Sequence, residues 1–139
     1  MTVGDEVIGA IGQGLCVLLG VAAGDSSEEA DLLGRKVVAL RIFDDDAGQM
    51  NRALEEVGGA LLVVSQFTLY ADCRRGRRPA FTAAAPAAVA QALYERFVAA
   101  VRASQIRVET GRFQARMAVS LVNDGPVTII LDTAELRAA

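Results

Sequence analysis

The 139-residue chain contains no histidine. That absence excludes Ser-His-Asp and Cys-His catalysis, imidazole acid–base chemistry and any zinc site with a His ligand. Catalysis near neutral pH would have to run on backbone donors, hydroxyls, carboxylates or the substrate's own groups. Cysteine is scarce as well: Cys16 and Cys73 are too far apart for a metal knuckle and too few for a disulfide scaffold. They read as two reduced thiols, with one in a core strand. Apolar runs such as Leu15–Ala23 and Ala60–Val64 fall far short of the ~18 residues of a membrane span. The opening Met-Thr-Val-Gly-Asp-Glu lacks the basic-then-apolar layout of a signal peptide. A cytoplasmic protein without membrane contact is expected. Glycine motifs for nucleotides are missing too, both G-x-G-x-x-G and G-x-x-x-x-G-K-[ST], and there is no G-x-S-x-G elbow.

What is present describes one globular domain over residues 1–139, 53% apolar and 22% charged. A chain of this length buries roughly two-thirds of its unfolded surface and needs no staples. Net charge is −3, which by itself selects no partner. The basic residues are thirteen arginines and the single Lys36, and four of those arginines crowd into Cys73-Arg74-Arg75-Gly76-Arg77-Arg78-Pro79. With Asp72 included, this stretch carries +3 in an otherwise acidic chain. Guanidinium forks match phosphate oxygens, and a central glycine lets backbone approach closely; a solvated loop is the plainer alternative.

Glu6–Ile11, Gly12-Gln13-Gly14 and Leu15–Ala22 read as a hairpin whose apolar second strand is central. Ser26 and Glu29 have capping-box spacing, and Ala30, Leu33, Val37 and Leu40 continue as a helix. Asp44-Asp45-Asp46-Ala47-Gly48 lacks a calcium-loop pattern and reads as a solvated turn. Ala60–Phe67 is a Val-rich strand. Pro86 opens a second helix with a buried stripe of Val89, Leu93, Phe97 and Val101. Ala115–Val122 alternates with strand period, Asn123-Asp124-Gly125-Pro126 turns, and Val127–Leu131 returns. Helices separated by sheet predict an α+β fold: a layered α/β/β domain with mixed or antiparallel sheets and two main helices.

Two constellations stand out. Ser65-Gln66-Phe67-Thr68-Leu69-Tyr70 ends a buried strand in a polar cluster followed by the arginine loop, a rigid mount for side chains and backbone N–H groups. Asn123-Asp124-Gly125-Pro126-Val127-Thr128, taken alone, is a turn.

Together with Arg75-Gly-Arg-Arg-Pro79, Phe81, Gly111-x-Phe113-x-Ala115-x-Met117 and the Ile11-Gly-x-Gly-Leu15 segment, these motifs resemble the D-aminoacyl-tRNA deacylases, also called D-tyrosyl-tRNA deacylases, over essentially the whole chain. The resemblance implies a single deacylase-like domain that hydrolyses the ester of D-aminoacyl-tRNA. It also implies removal of glycine mischarged on tRNA-Ala, a chiral-proofreading role in translation, with no metal and no cofactor. It implies a homodimer with the site at the subunit interface. Ser65, Gln66, Phe67 and Thr68 would line the reacting ester. Gly125 and Pro126, joined by a cis bond, would exclude L side chains from the partner's pocket. Phe113 and Met117 would be nearby walls, with Asn123 and Thr128 in the same substrate-binding set. Arg74, Arg75, Arg77 and Arg78 are the candidates for tRNA phosphates, and no DNA partner is expected. The principal rival is a non-catalytic nucleic-acid binder of the same fold. The family pattern opens with one more strand, ~10 residues long and carrying Gln-Arg-Val. This chain starts near that point, at Met1-Thr2-Val3-Gly4: either the start has been placed too late or the first strand is absent. Loss of that strand would expose a sheet edge and remove the arginine expected to brace the Gly-Pro turn.

Overall fold

The computed structural model describes residues 1–138. Its centre is a three-stranded parallel sheet of β3 (Gly14–Leu19), β6 (Ala60–Ser65) and β7 (Val108–Thr110), in the order β3-β6-β7. Helices α1 (Ser27–Ala39) and α2 (Ala87–Ala103) cover one face. Leu61 and Val63 of β6 pack there with Phe97, Val98 and Val101. Leu62 and Val64 point the other way, into a second cluster with Met1, Ile8, Ile11, Met117 and Val119. Strand β6 is therefore apolar from Ala60 to Val64 because both of its faces are covered. Two short antiparallel pairs complete the mixed α+β architecture, β1 (Thr2–Val3) with β2 (Glu6–Val7) and β4 (Phe43–Asp44) with β5 (Met50–Arg52).

The capping box forms as its spacing predicts. The Ser26 backbone N–H and hydroxyl both meet Glu29 Oε2, at 2.6 and 2.5 Å, and open α1. The triple-Asp segment is a solvated turn, in which Asp45 Oδ1 accepts the N–H groups of Ala47 and Gln49. Among the described residues no cluster of His, Cys, Asp and Glu could hold a metal ion, and no helix is long and apolar enough to cross a membrane.

Several expectations are corrected. The segment Glu6–Ala22 is not a hairpin: β2 pairs back onto β1, and β3 runs parallel to β6. Gly14 serves close approach rather than a turn, since a Cβ there would lie 1.8 Å from the Ala60 carbonyl oxygen. Nor is β3 central; it is an edge strand of this sheet, with Cys16 and Leu18 on an exposed face. The Cys16 thiol is consequently a surface group, not a core one.

In α2 the buried face is rotated from the predicted stripe. Val89 is exposed, and Ala90, Tyr94, Phe97, Val98 and Val101 face inward because Tyr94 reaches a backbone carbonyl of β6. The strand Ala60–Phe67 ends at Ser65, and Phe67–Tyr70 winds into a short 3-10 helix. Residues 115–122 and 127–131 form no ladder among the described residues beyond a single bridge between Thr2 and Ala118. Alternation survives in burial, with Ala115, Met117 and Val119 turned inward. Strand β7 and helix α3 (Thr133–Ala138) are additional elements that pattern alone did not reveal.

Candidate active site

Ser65 is the last residue of β6, in register with Leu19, and the Gln66 N–H donates to the Leu19 carbonyl at 2.8 Å. The chain then tightens into the 3-10 helix, where Leu69 N–H reaches Gln66 O and Ala71 N–H reaches Thr68 O. The first N–H groups of any helix lack internal partners. Here those of Phe67 and Thr68 have no acceptor among the described residues. Phe67, Thr68 and Leu69 are exposed, so the segment that carries these two adjacent backbone donors lies at the surface, at a strand end. The Gln66 Nε2 amide donates to Thr68 Oγ1 at 2.5 Å and fixes that hydroxyl beside them. Tyr70 closes the segment. Burial, and then the carboxylates of Asp25 and Asp132, push its phenol above the usual range.

The arginine loop is shut at its base by two backbone hydrogen bonds between Asp72 and Ala80, at 2.7 and 2.9 Å. Asp72 also accepts from Arg74, at Nε (2.9 Å), Nη2 (2.8 Å) and the backbone N–H (3.1 Å). These bonds, side chain first, hold the Asp72 carboxyl below its ordinary range and raise the Arg74 guanidinium above its own. Arg74 is thus occupied. Arg75, Arg77 and Arg78 are exposed and make no ion pair among the described residues.

Asn123 organises the second constellation. Its Oδ1 accepts the Val127 N–H at 3.0 Å and its Nδ2 donates to Thr128 Oγ1 at 3.0 Å. Between them the Gly125–Pro126 bond is cis and exposed. Among the described residues this turn makes no hydrogen bond to Ser65–Thr68 of its own chain.

The two wall residues are separated by the sheet. Phe113 leans on Tyr94 (ring centroids 6.4 Å apart) and lines a groove of about 490 Å³ with Val98, Arg102 and Thr110. Met117 lies on the opposite face against Met1, Leu62 and Val64. Sequence reading missed Asp72 and Tyr94. An aspartate two residues before an arginine, which is side-chain-turn spacing, was the available signal for the first.

Comparison with known proteins follows the same lines. A family model described as D-Tyr-tRNA(Tyr) deacylase matches residues 1–132. A D-aminoacyl-tRNA deacylase of Roseiflexus sp. (strain RS-1) is 59% identical over 137 residues, 99% of this chain and 88% of the relative. One of Thermus aquaticus is 56% identical over 135 residues, 97% and 89% of the two chains. A solved structure described as a c-Myc DNA Unwinding Element Binding Protein has a TM-score of 0.87 at 39% identity, covering 94% of this chain and 89% of that one. A probable eukaryotic D-amino acid tRNA deacylase, at 20% identity and a TM-score of 0.59 over 73% and 74% of the chains, shares the fold. Fold and relatives define a hydrolase of the class that acts on aminoacyl-tRNA. The chain belongs to the D-Tyr-tRNA(Tyr) deacylase family.

Proposed function

We propose that this protein hydrolyses the ester between a D-amino acid and the terminal adenosine of tRNA, releasing free D-amino acid and tRNA. Glycine mischarged on tRNA-Ala is a second substrate, and the role is chiral proofreading in the cytoplasm. The observation that carries the reading is the pair of N–H groups of Phe67 and Thr68, without an acceptor among the described residues, at the end of a buried strand. Backbone donors preset where an oxyanion develops cost no reorganisation during reaction. The ester is already activated by the vicinal ribose hydroxyl, so orientation supplies much of what remains.

Thr68 acts as a positioning hydrogen-bond donor. Gln66 donates into one of its lone pairs, leaving its own proton free to point at the substrate. An amide is no base, so nothing beside Thr68 prepares it to attack as a nucleophile. Ser65 and Gln66 hold the strand end through β6 and the Leu19 carbonyl.

Selection against L substrates is by exclusion. The Gly125 and Pro126 carbonyls, presented by the Asn123–Thr128 turn, enter the site of a second copy and occupy the space an L side chain needs. The apolar residues flanking that turn support a homodimer, since Leu121, Val122, Ile129 and Ile130 are all exposed. Residues 1–139 act as one domain, and Arg75, Arg77 and Arg78 meet tRNA phosphates. Neither metal nor cofactor takes part.

The test is a deacylation time course on matched D- and L-tyrosyl-tRNA, with and without EDTA. Cleavage of the D ester alone, unchanged by chelator, is expected. Equal rates on both enantiomers, or loss of activity on chelation, contradict the proposal. Binding of RNA or DNA without cleavage favours the non-catalytic rival, the reading closest to the DNA-binding description of the 39%-identical structure. Thr68→Val keeps both backbone donors but removes the positioning hydroxyl, and should lower the rate roughly 100-fold, the scale of a misplaced substrate. Thr68→Ser should retain most of it, with no acyl-enzyme trapped by rapid quench.

A further inference from the structure

Among the described residues, the segment 119–131 makes no backbone hydrogen bond to any other part of the chain. Its bonds are internal to the turn, between Asn123 and Val127 or Thr128. One end is held where Val119 packs against the cluster of Met1, Leu62 and Val64. At the other end Leu131 packs against the first apolar cluster, and α3 follows at once. Asp132 opens that helix: its Oδ1 accepts the Ala134 N–H at 2.9 Å and its carbonyl the Leu136 N–H at 3.0 Å. From α3, Arg137 reaches back to the start of α1. Its Nη1 lies 2.9 Å from Glu29 Oε1 and its Nη2 lies 3.3 Å from Glu28 Oε2. Glu29 is already fixed, because its other oxygen accepts the Ser26 N–H and hydroxyl. Helix α3 lies past residue 132, where the family match ends, so this contact is no part of the matched pattern.

We propose that Arg137 is a positioning residue for selection between enantiomers. Its ion pairs with Glu28 and Glu29 clamp the downstream end of the segment that presents Gly125–Pro126. The inference rests on the exclusion mechanism above. Under that mechanism the D ester is cleaved with the turn seated, and only the minor, unseated state admits an L side chain. Weakening the clamp multiplies the minor state and hardly alters the major one. Ion pairs this exposed contribute modestly, so L cleavage should rise only roughly 2- to 5-fold. In the proposed dimer the turn enters the second copy while its downstream end stays tied to its own α1. Two-fold symmetry gives both segments the same clamp.

The experiment compares wild type, Arg137→Ala and Arg137→Lys in two ways. One is a pair of time courses on matched D- and L-tyrosyl-tRNA. The other is the electron paramagnetic resonance spectrum of a nitroxide at Asp124→Cys, with the exposed Cys16 and Cys73 replaced by serine. Arg137→Ala should raise L cleavage by that factor at an unchanged D rate, and should enlarge the mobile part of the spectrum. Arg137→Lys keeps the charge and should stay close to wild type in both. Raising salt from about 0.05 to about 0.5 M should increase the L-to-D ratio of wild type and leave that of Arg137→Ala flat. Weaker tRNA binding at high salt affects both esters alike and cancels in the ratio. An unchanged ratio in Arg137→Ala, or a fall in both rates together, overturns the role in selection. Arg137→Lys leaking like Arg137→Ala overturns a clamp made by charge. Identical spectra for wild type and Arg137→Ala remove the clamp and leave the deacylase reading standing. Wild type that cleaves neither ester removes the deacylase reading. The label then decides the clamp, a more mobile Arg137→Ala spectrum keeping it and an identical one removing it.

Discussion

Tyr94 Oη donates a 2.7 Å hydrogen bond to the Val63 carbonyl, tying α2 to the central strand two residues before Ser65. The Gly111 N–H reaches the same oxygen at 3.3 Å, so three elements converge behind the candidate site. Tyr94 is buried, and that burial pushes its phenol above the ordinary range. Tyr94→Phe removes the donor but leaves Val63 a partner in Gly111. The expected loss is about 1 kcal/mol, the net value of one such bond. Urea unfolding checks it, through a lower midpoint at unchanged slope. An unchanged midpoint would mean the bond contributes nothing to the strand's anchoring.

Acid should loosen the start of α1. The Ser26 hydroxyl and backbone N–H, followed by smaller contributions that include the charge of Arg137, lower the Glu29 pKa from 4.5 to about 2. A depressed folded pKa means the stabilisation is full above the unfolded value and is lost as pH falls through the folded one. The window for Glu29 thus runs from 4.5 down to about 2. Asp31, Asp45 and Asp72 are lowered as well, so Glu29→Gln should make stability against pH shallower in that window without flattening it. Denaturant midpoints at several pH values measure this, and a slope equal to wild type refutes it.

Helix α1 and the Asp-rich turn were legible because their causes are local: a capping box, a periodic stripe and carboxylates beside turn amides. The errors lie where tertiary context decides. Apolar Leu15–Ala22 looks central from composition, yet among the described residues only β6 has both faces covered. Gly14 reads as a turn residue until its approach to Ala60 is seen. Ser65–Thr68 could be placed at a strand end from pattern, but the free N–H groups of Phe67 and Thr68 depend on the 3-10 geometry, which no periodicity encodes. The pairing of Asp72 with Arg74 likewise divides four arginines that look equivalent in sequence.

That division is measurable. Neutralising Arg75 and Arg77 should weaken tRNA binding and reduce the slope of log affinity against log salt by about 0.7 to 0.9 for each phosphate left without its guanidinium. The change should appear in KM with kcat nearly unchanged, because phosphate-bound arginines position the substrate without favouring its transition state. Arg74→Ala should leave the salt slope close to wild type, since its guanidinium is held by Asp72. An equal slope change for Arg74 and Arg75 would show that the Asp72 pair opens on binding.

Gly125 offers the most direct access to chirality. Its φ is +148°, a conformation L side chains rarely adopt, and a Cβ there would lie 2.9 Å from Val127 Cγ2 and 3.0 Å from the Val127 nitrogen. That nitrogen is the donor to Asn123 Oδ1, so Gly125→Ala presses on the bond that shapes the turn. The turn is exposed and belongs to neither apolar cluster, so the fold should persist with nearly unchanged thermal stability. Activity on the D substrate should drop by roughly 100-fold, the scale of an ångström-level misplacement at a reacting centre. On the proposed exclusion mechanism the ratio of D to L cleavage should shrink with it, because a wall against the L side chain would be displaced. Matched D- and L-tyrosyl-tRNA time courses, read beside a melting curve, test both parts. Full activity and full D selectivity in a folded Gly125→Ala protein would remove this turn from the selection mechanism.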